Sequence, residues 1–358
     1  MKNRQKNNLW SIVAIASIMI VVLIPQSAKA GVIFGSNGVL GGGFRWDAAP
    51  RIINANERSL DGGLRYSVQG GSLQAYRDLF TWNVLPTVGA FTTAVTQAFN
   101  AWASVDSATN LATSLSFVND TANTAVVGTA GFGGIDFNGA EIDLFGADAG
   151  DSGTKSVASF SAALGNVTLT SGTANYGGAQ GGGAIRGADV YINANSGAVY
   201  TLDLFRRLMT HELGHALGLG DVEDFFNNGF IDDNYNGASS ATALATLTNS
   251  WALLVNTANP AASAGLTQFA FGTVANADPG LKTAGVNILM ESQGLGIAVG
   301  NPVTNLIPLR NDDYGTRQFL YPGPVIPEPS TFAMLLISIV VVSGIVIRKR
   351  RGETDHTS

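Results

Sequence analysis

Cysteine does not occur among the 358 residues of this chain, and histidine occurs three times, at positions 211, 215 and 356. Without cysteine there is no disulfide, no thiolate ligand and no thiol nucleophile, so a domain of this size must rely on its apolar core and not on disulfides. The shortage of histidine narrows metal chemistry as well. His356 lies beyond an apolar stretch near the C-terminus, which excludes a three-histidine site within the body of the chain. Charge is also scarce, at 13% of residues, and its balance is negative. Between residues 31 and 327 there are 12 basic and 23 acidic side chains, a net charge near −11. Nucleic acid is not expected as a partner, because phosphate binding needs the opposite sign.

What is present is concentrated in one string, His211-Glu212-Leu213-Gly214-His215-Ala216-Leu217-Gly218-Leu219-Gly220-Asp221. Residues four apart share a helix face, so His211 and His215 can offer their rings to one zinc ion while Glu212 stands beside the open coordination position. Two histidines leave zinc short of ligands. Gly218 can end the helix in a left-handed conformation at little cost, which turns the chain back and brings in Asp221 as the third protein ligand. Glu223 and Asp224 compete for that place.

This string resembles the zinc-binding consensus of the metzincin metallopeptidases and is closest to the matrixin branch. Asp221 stands where that branch has histidine, which is similar to the snapalysin-type pattern. Asn287-Ile288-Leu289-Met290 resembles the methionine turn beneath a metzincin zinc site. The segment from Leu309 through Asp312-Asp313, Gly315 and Gln318 to Leu320-Tyr321 is similar to the final matrixin helix. Upstream, Val95, Ala98, Phe99 and Trp102 fall on one helical stripe between 95 and 105, and 115–118 alternates as a strand. Together these resemble the first helix and second strand of a matrixin.

The resemblance implies an α+β fold over 31–321: a twisted, mostly parallel sheet, an active-site helix, and a C-terminal helix after the methionine turn. It implies a catalytic Zn2+ on His211, His215 and Asp221, Glu212 as general base, Met290 in the methionine turn, and protein or peptide substrates. In the metzincin arrangement the sheet packs under the zinc helix and its edge strand pairs with an extended substrate, and Ile142 or Val190 is expected in such strands. The histidine-bound structural zinc of matrixins and their thiol latency switch cannot be built here, since the residues for both are missing.

Sixty-nine positions separate Asp221 from Met290, so an insertion over about 222–285 is expected beside the site, with a helix over 241–255. Short strands are expected at 64–68, 140–145 and 188–193, between the glycine clusters at 41–43, 131–134 and 177–183. Asp232, Asn234 and Asn236 occupy the first, third and fifth positions of an EF-hand-like loop with Gly237 at the sixth, so Ca2+ is a second candidate ion. The twelfth position is Ala243, not glutamate, and a polar turn explains the pattern as well. Asp143, Asp148 and Asp151 form a looser acidic cluster.

Lys2, Arg4 and Lys6 precede an apolar run from Leu9 to Ile24, and Ala28-Lys29-Ala30 offers small residues for cleavage, so 1–30 reads as a secretory signal peptide. At the other end a linker at 322–330 carries Pro327-Glu328-Pro329. It leads into an apolar span at 331–347 and a basic cytoplasmic tail at 348–358. This arrangement resembles the PEP-CTERM sorting signal of Gram-negative bacteria. That resemblance implies an exosortase-type partner, transient anchoring in the inner membrane and a final place at the cell surface or in the extracellular matrix. Two functions fit these readings: an exported zinc endopeptidase, or a non-catalytic surface or biofilm-matrix protein on a metzincin scaffold.

Overall fold

A computed structural model describes residues 32–34, 43–48, 50–53, 55–105, 111–122, 139–150, 156–164, 166–169, 172–177, 182–221, 229–232, 267–270, 289–290, 309, 313, 316–317 and 320–325. The proposed signal peptide, apolar span and tail lie outside these residues, as do the helix expected at 241–255 and both Asn234 and Asn236. Among the described residues, no helix is long and apolar enough to cross a membrane.

The centre is a six-stranded sheet. Its strands run in the order Ser156–Leu164, Gly183–Asn193, Ile142–Ala147, Leu64–Val68 and Phe117–Asn119, and Phe44–Trp46 lies parallel against Gly183–Ile185. All pairings are parallel except that of the edge strand Ser156–Leu164, which is antiparallel to Gly183–Asn193. The strand expected at 64–68 is found at those residues. The one expected at 140–145 is shifted to Ile142–Ala147, and that at 188–193 begins five residues earlier, at Gly183. Its early part is an Ala/Gly-rich stretch with no β-branched marker before Ile185, so the glycine cluster there hides a strand start. Ile142 and Val190 both sit in interior strands, which corrects any reading of either as the substrate edge.

Among the described residues the sheet is accompanied by helices α1 (Leu73–Arg77), α2 (Val88–Ala103) and α3 (Leu202–Ala216). Each begins at a Ser or Thr whose side chain accepts a backbone N–H of the first turn: Ser72 from Ala75, Thr87 from Ala90, Thr201 from Leu204. Helix α2 starts seven residues before the expected 95 because this cap fixes its entry. It buries Phe91, Ala94, Val95, Ala98, Phe99 and Trp102 along one stripe. Helix α3 packs on α2 and lies over the strands Ser156–Leu164 and Gly183–Asn193. From Phe205 to Ala216 every residue of α3 is buried. Such burial is tolerable for a histidine or glutamate only when each polar atom has a partner or a function.

A second sheet, antiparallel throughout, joins Leu219–Gly220, Val32–Ile33, Gly229–Asp232 and Thr267–Ala270 in that order. It ties the residues just after the zinc-motif helix to the start of the described chain and to two strands from within the expected insertion.

Candidate metal centre

The end of α3 is shaped by a chain of answered carbonyls. Gly218 has φ +95°, the left-handed conformation expected of it, and its N–H donates to the His215 carbonyl at 2.8 Å. A Cβ at this position would stand 2.1 Å from the Phe44 carbonyl oxygen, so the close approach also requires glycine. The Trp46 indole N–H donates to the Ala216 carbonyl at 3.0 Å, the Tyr321 hydroxyl to Leu217 at 2.5 Å, and the Phe34 N–H to Gly218 at 3.0 Å. The last-turn carbonyls that a helix leaves open are thus met by residues from three distant parts of the chain. The reversal that follows delivers Asp221.

His211 Nε2 is 3.2 Å and His215 Nε2 3.4 Å from Asp221 Oδ1. Each imidazole is fixed through its other nitrogen. His211 Nδ1 donates to the Leu289 carbonyl at 2.8 Å and His215 Nδ1 to the Leu219 carbonyl at 2.9 Å, which leaves both Nε2 atoms directed at one point. Four ligands held tetrahedrally at about 2.0–2.1 Å from an ion stand about 3.3–3.4 Å from one another. The separations of 3.2 and 3.4 Å lie close to that spacing, and all three ligand atoms fall within 4.8 Å of one another. Asp221 Oδ1 is buried and accepts no well-aligned hydrogen bond, so the acceptor has room for a cation. Among the described residues this is the one group of three acidic or imidazole side chains gathered closely enough to hold a metal ion.

The electrostatics agree. Burial disfavours the charged His211 ring, but the Asp221 carboxylate reverses this, helped by Glu212 and the Leu289 carbonyl, and raises its pKa to about 10. His215 is opposed by burial and raised by Asp221 in the same way. Burial likewise works against ionised Asp221, yet the two imidazoles outweigh it and hold the carboxyl far below the usual range. The cation-free triad therefore favours protonated imidazoles beside an ionised carboxylate, and a cation would compete with those protons.

Beneath the histidines lies Met290, 1% exposed. Gly214 makes its place: a Cβ there would fall 2.3 Å from the Met290 sulfur and 2.8 Å from the Trp102 ring. The turn itself is anchored by Asp313, whose carboxylate accepts the Leu289 N–H at 2.8 and 3.0 Å and the Met290 N–H at 3.1 Å. Asp313, Thr316, Arg317 and Leu320 have helical backbone, and the Arg317 guanidinium donates to the Trp102 and Ser104 carbonyls at the end of α2.

Glu212 is 3% exposed and stands beside the triad in sequence. Its Oε1 accepts a 2.5 Å hydrogen bond from the Ser156 hydroxyl, and its Oε2 is buried without a partner. Of the other acids expected as ligands, Glu223 and Asp224 lie outside the described residues, and Asp232 closes the strand Gly229–Asp232. The looser acidic cluster is divided between different surroundings. Asp143 is buried in the central sheet and accepts the Ala140 N–H, Asp148 sits in an exposed turn accepting Gly150 and Asn195, and Asp151 is outside the described residues.

Sequence reasoning did not single out Ser156, Trp46 or the anchoring role of Asp313. Only Asp313 left a trace, as half of the paired aspartate at 312–313. No protein-family model matches this chain, and a comparison with curated proteins gives no match.

Proposed function

We propose that the chain is a zinc-dependent endopeptidase of metzincin type, exported and sorted to the cell surface, with Glu212 as general base. The observation that carries this reading is the convergence of His211 Nε2, His215 Nε2 and Asp221 Oδ1 at ligand-to-ligand spacing, with a partnerless Glu212 oxygen on the adjacent residue. Two imidazoles and a carboxylate form a borderline-hard donor set that suits zinc. Zinc so held supplies a Lewis acid that lowers the pKa of a water towards neutrality and polarises a carbonyl.

The chain's own residues supply the rest. Glu212 accepts the proton of the attacking water and then delivers it to the leaving amine, acting first as base and then as acid. The strand Ser156–Leu164 ends the strand order of the central sheet and offers an extended peptide a place to add as a further strand. Backbone pairing there presents a scissile bond across the end of α3 without demanding a particular side chain. The Leu289–Met290 turn supports the metzincin assignment, because it lies under the ligand helix and receives the Nδ1 proton of His211. The basic and apolar termini support export and sorting through an exosortase-type partner.

The test is casein hydrolysis by the full chain with and without a chelator, beside Glu212→Gln. Hydrolysis should vanish with chelation and fall by about 10²–10⁴-fold in Glu212→Gln, with zinc content retained. Cleavage at the parent rate in Glu212→Gln would overturn the assignment of the base. A parent chain that binds zinc but cleaves nothing would favour the matrix-protein reading.

A further inference from the structure

The Glu212 carboxylate is gripped at one oxygen only. Oε1 takes the Ser156 hydroxyl proton at 2.5 Å, while Oε2 is buried with no partner. The two residues are 56 positions apart and sit on different elements, Glu212 on α3 and Ser156 at the first position of the edge strand. The Ser156 backbone is paired with Ile192 of the neighbouring strand, so the sheet sets where its hydroxyl lies, independently of the helix that carries Glu212.

We propose that Ser156 is a positioning residue for Glu212. By committing Oε1, it fixes the plane of the carboxylate and leaves Oε2 as the oxygen that takes up and releases protons at the His211–His215–Asp221 site. This inference rests on the reading of Glu212 as general base. A glutamate carboxylate, carried on a chain of rotatable bonds, swings freely unless something holds it, and a base displaced by about 1 Å can lose about a hundredfold in rate. A buried carboxylate also needs hydrogen-bond partners, and a hydroxyl supplies one without adding a charge. The contact brings together the base and the start of the strand proposed to receive substrate, so the piece of sheet that docks a peptide also aims the group that acts on it.

The experiment compares the full chain with Ser156→Ala and Ser156→Thr, each loaded with zinc. Metal content should be the same in all three, because the Ser156 hydroxyl bonds Glu212 and not a ligand atom. Ser156→Ala should lower kcat by about tenfold to a hundredfold with KM nearly unchanged, and Ser156→Thr, which restores the hydroxyl, should recover most of it. A second readout needs no turnover. Acetohydroxamate chelates a zinc ion and shares its hydroxyl proton with an adjacent carboxylate, so its affinity should weaken in Ser156→Ala and recover in Ser156→Thr. A lower melting temperature in Ser156→Ala with kcat and hydroxamate affinity unchanged would overturn the proposal and leave Ser156 a structural partner. So would a Ser156→Thr chain that behaves like Ser156→Ala. Either result leaves the peptidase reading standing, whereas a parent chain that binds no zinc sinks both.

Discussion

The two imidazoles at the centre are held by turns of opposite kinds. His215 is fixed locally: its Nδ1 donates to Leu219, four residues on, across the Gly218 reversal that also delivers Asp221. His211 is fixed remotely: its Nδ1 reaches Leu289, 78 residues on, in a turn that depends on Asp313 a further 24 residues away. A single glycine sets the first turn, and closure of much of the chain sets the second. It follows that half of the site is written in eleven consecutive residues, while the other half exists only once the C-terminal part of the domain has docked.

Breaking the local turn should have the largest effect. Gly218→Ala places a Cβ 2.1 Å from the Phe44 carbonyl, at a backbone conformation that already costs a non-glycine residue about 1–2 kcal/mol. We expect loss of the helix end, and with it loss of zinc content and of cooperative melting, measured by metal analysis and thermal unfolding. An intact zinc site in this variant would mean that Asp221 reaches the imidazoles by another path.

Breaking the remote turn should be severe but graded. Asp313→Ala leaves the Leu289 and Met290 N–H groups buried without an acceptor, a cost of about 1–3 kcal/mol each. Zinc should bind more weakly as His211 loses its support, whereas Asp313→Asn keeps one acceptor oxygen and should fall between. Competitive titration against a chromophoric chelator ranks the three. Equal zinc affinity in all of them would break the link drawn between Asp313 and His211.

The last of these effects is electrostatic. His211 has a pKa near 10 in the folded, cation-free site against an ordinary value of 6.5, so its protonation favours the folded state. That contribution is full below about pH 6.5 and is lost as pH rises towards 10. The melting temperature of the chelator-treated chain should therefore decline across that window. The zinc-loaded chain, whose imidazoles carry metal and not protons, should decline less. Parallel pH profiles for the two forms would show that the triad is not where the cation binds.

The same contrast explains how much was legible beforehand. The motif helix, the Gly218 reversal and the approach of Asp221 could be read from the sequence because each is fixed by residues within one or two turns. The stripe of Val95, Ala98, Phe99 and Trp102 was legible for the same reason. The start of α2 was not, since Gly89, Thr92 and Thr93 are weak helix formers that blur the pattern there. The edge strand Ser156–Leu164 was missed because serine and alanine make up most of it and give little contrast between faces. Ser156 meeting Glu212, Trp46 capping Ala216 and Asp313 holding Leu289 join residues 24 to 170 positions apart, and no local pattern encodes such pairings.

The most direct measurement is the zinc content of the purified full chain beside that of Asp221→Ala, both after dialysis against trace zinc. The parent chain should hold about one zinc, with a large loss on removing the carboxylate, since two imidazoles alone hold the ion poorly. Full zinc occupancy in Asp221→Ala, or none in the parent, would contradict this.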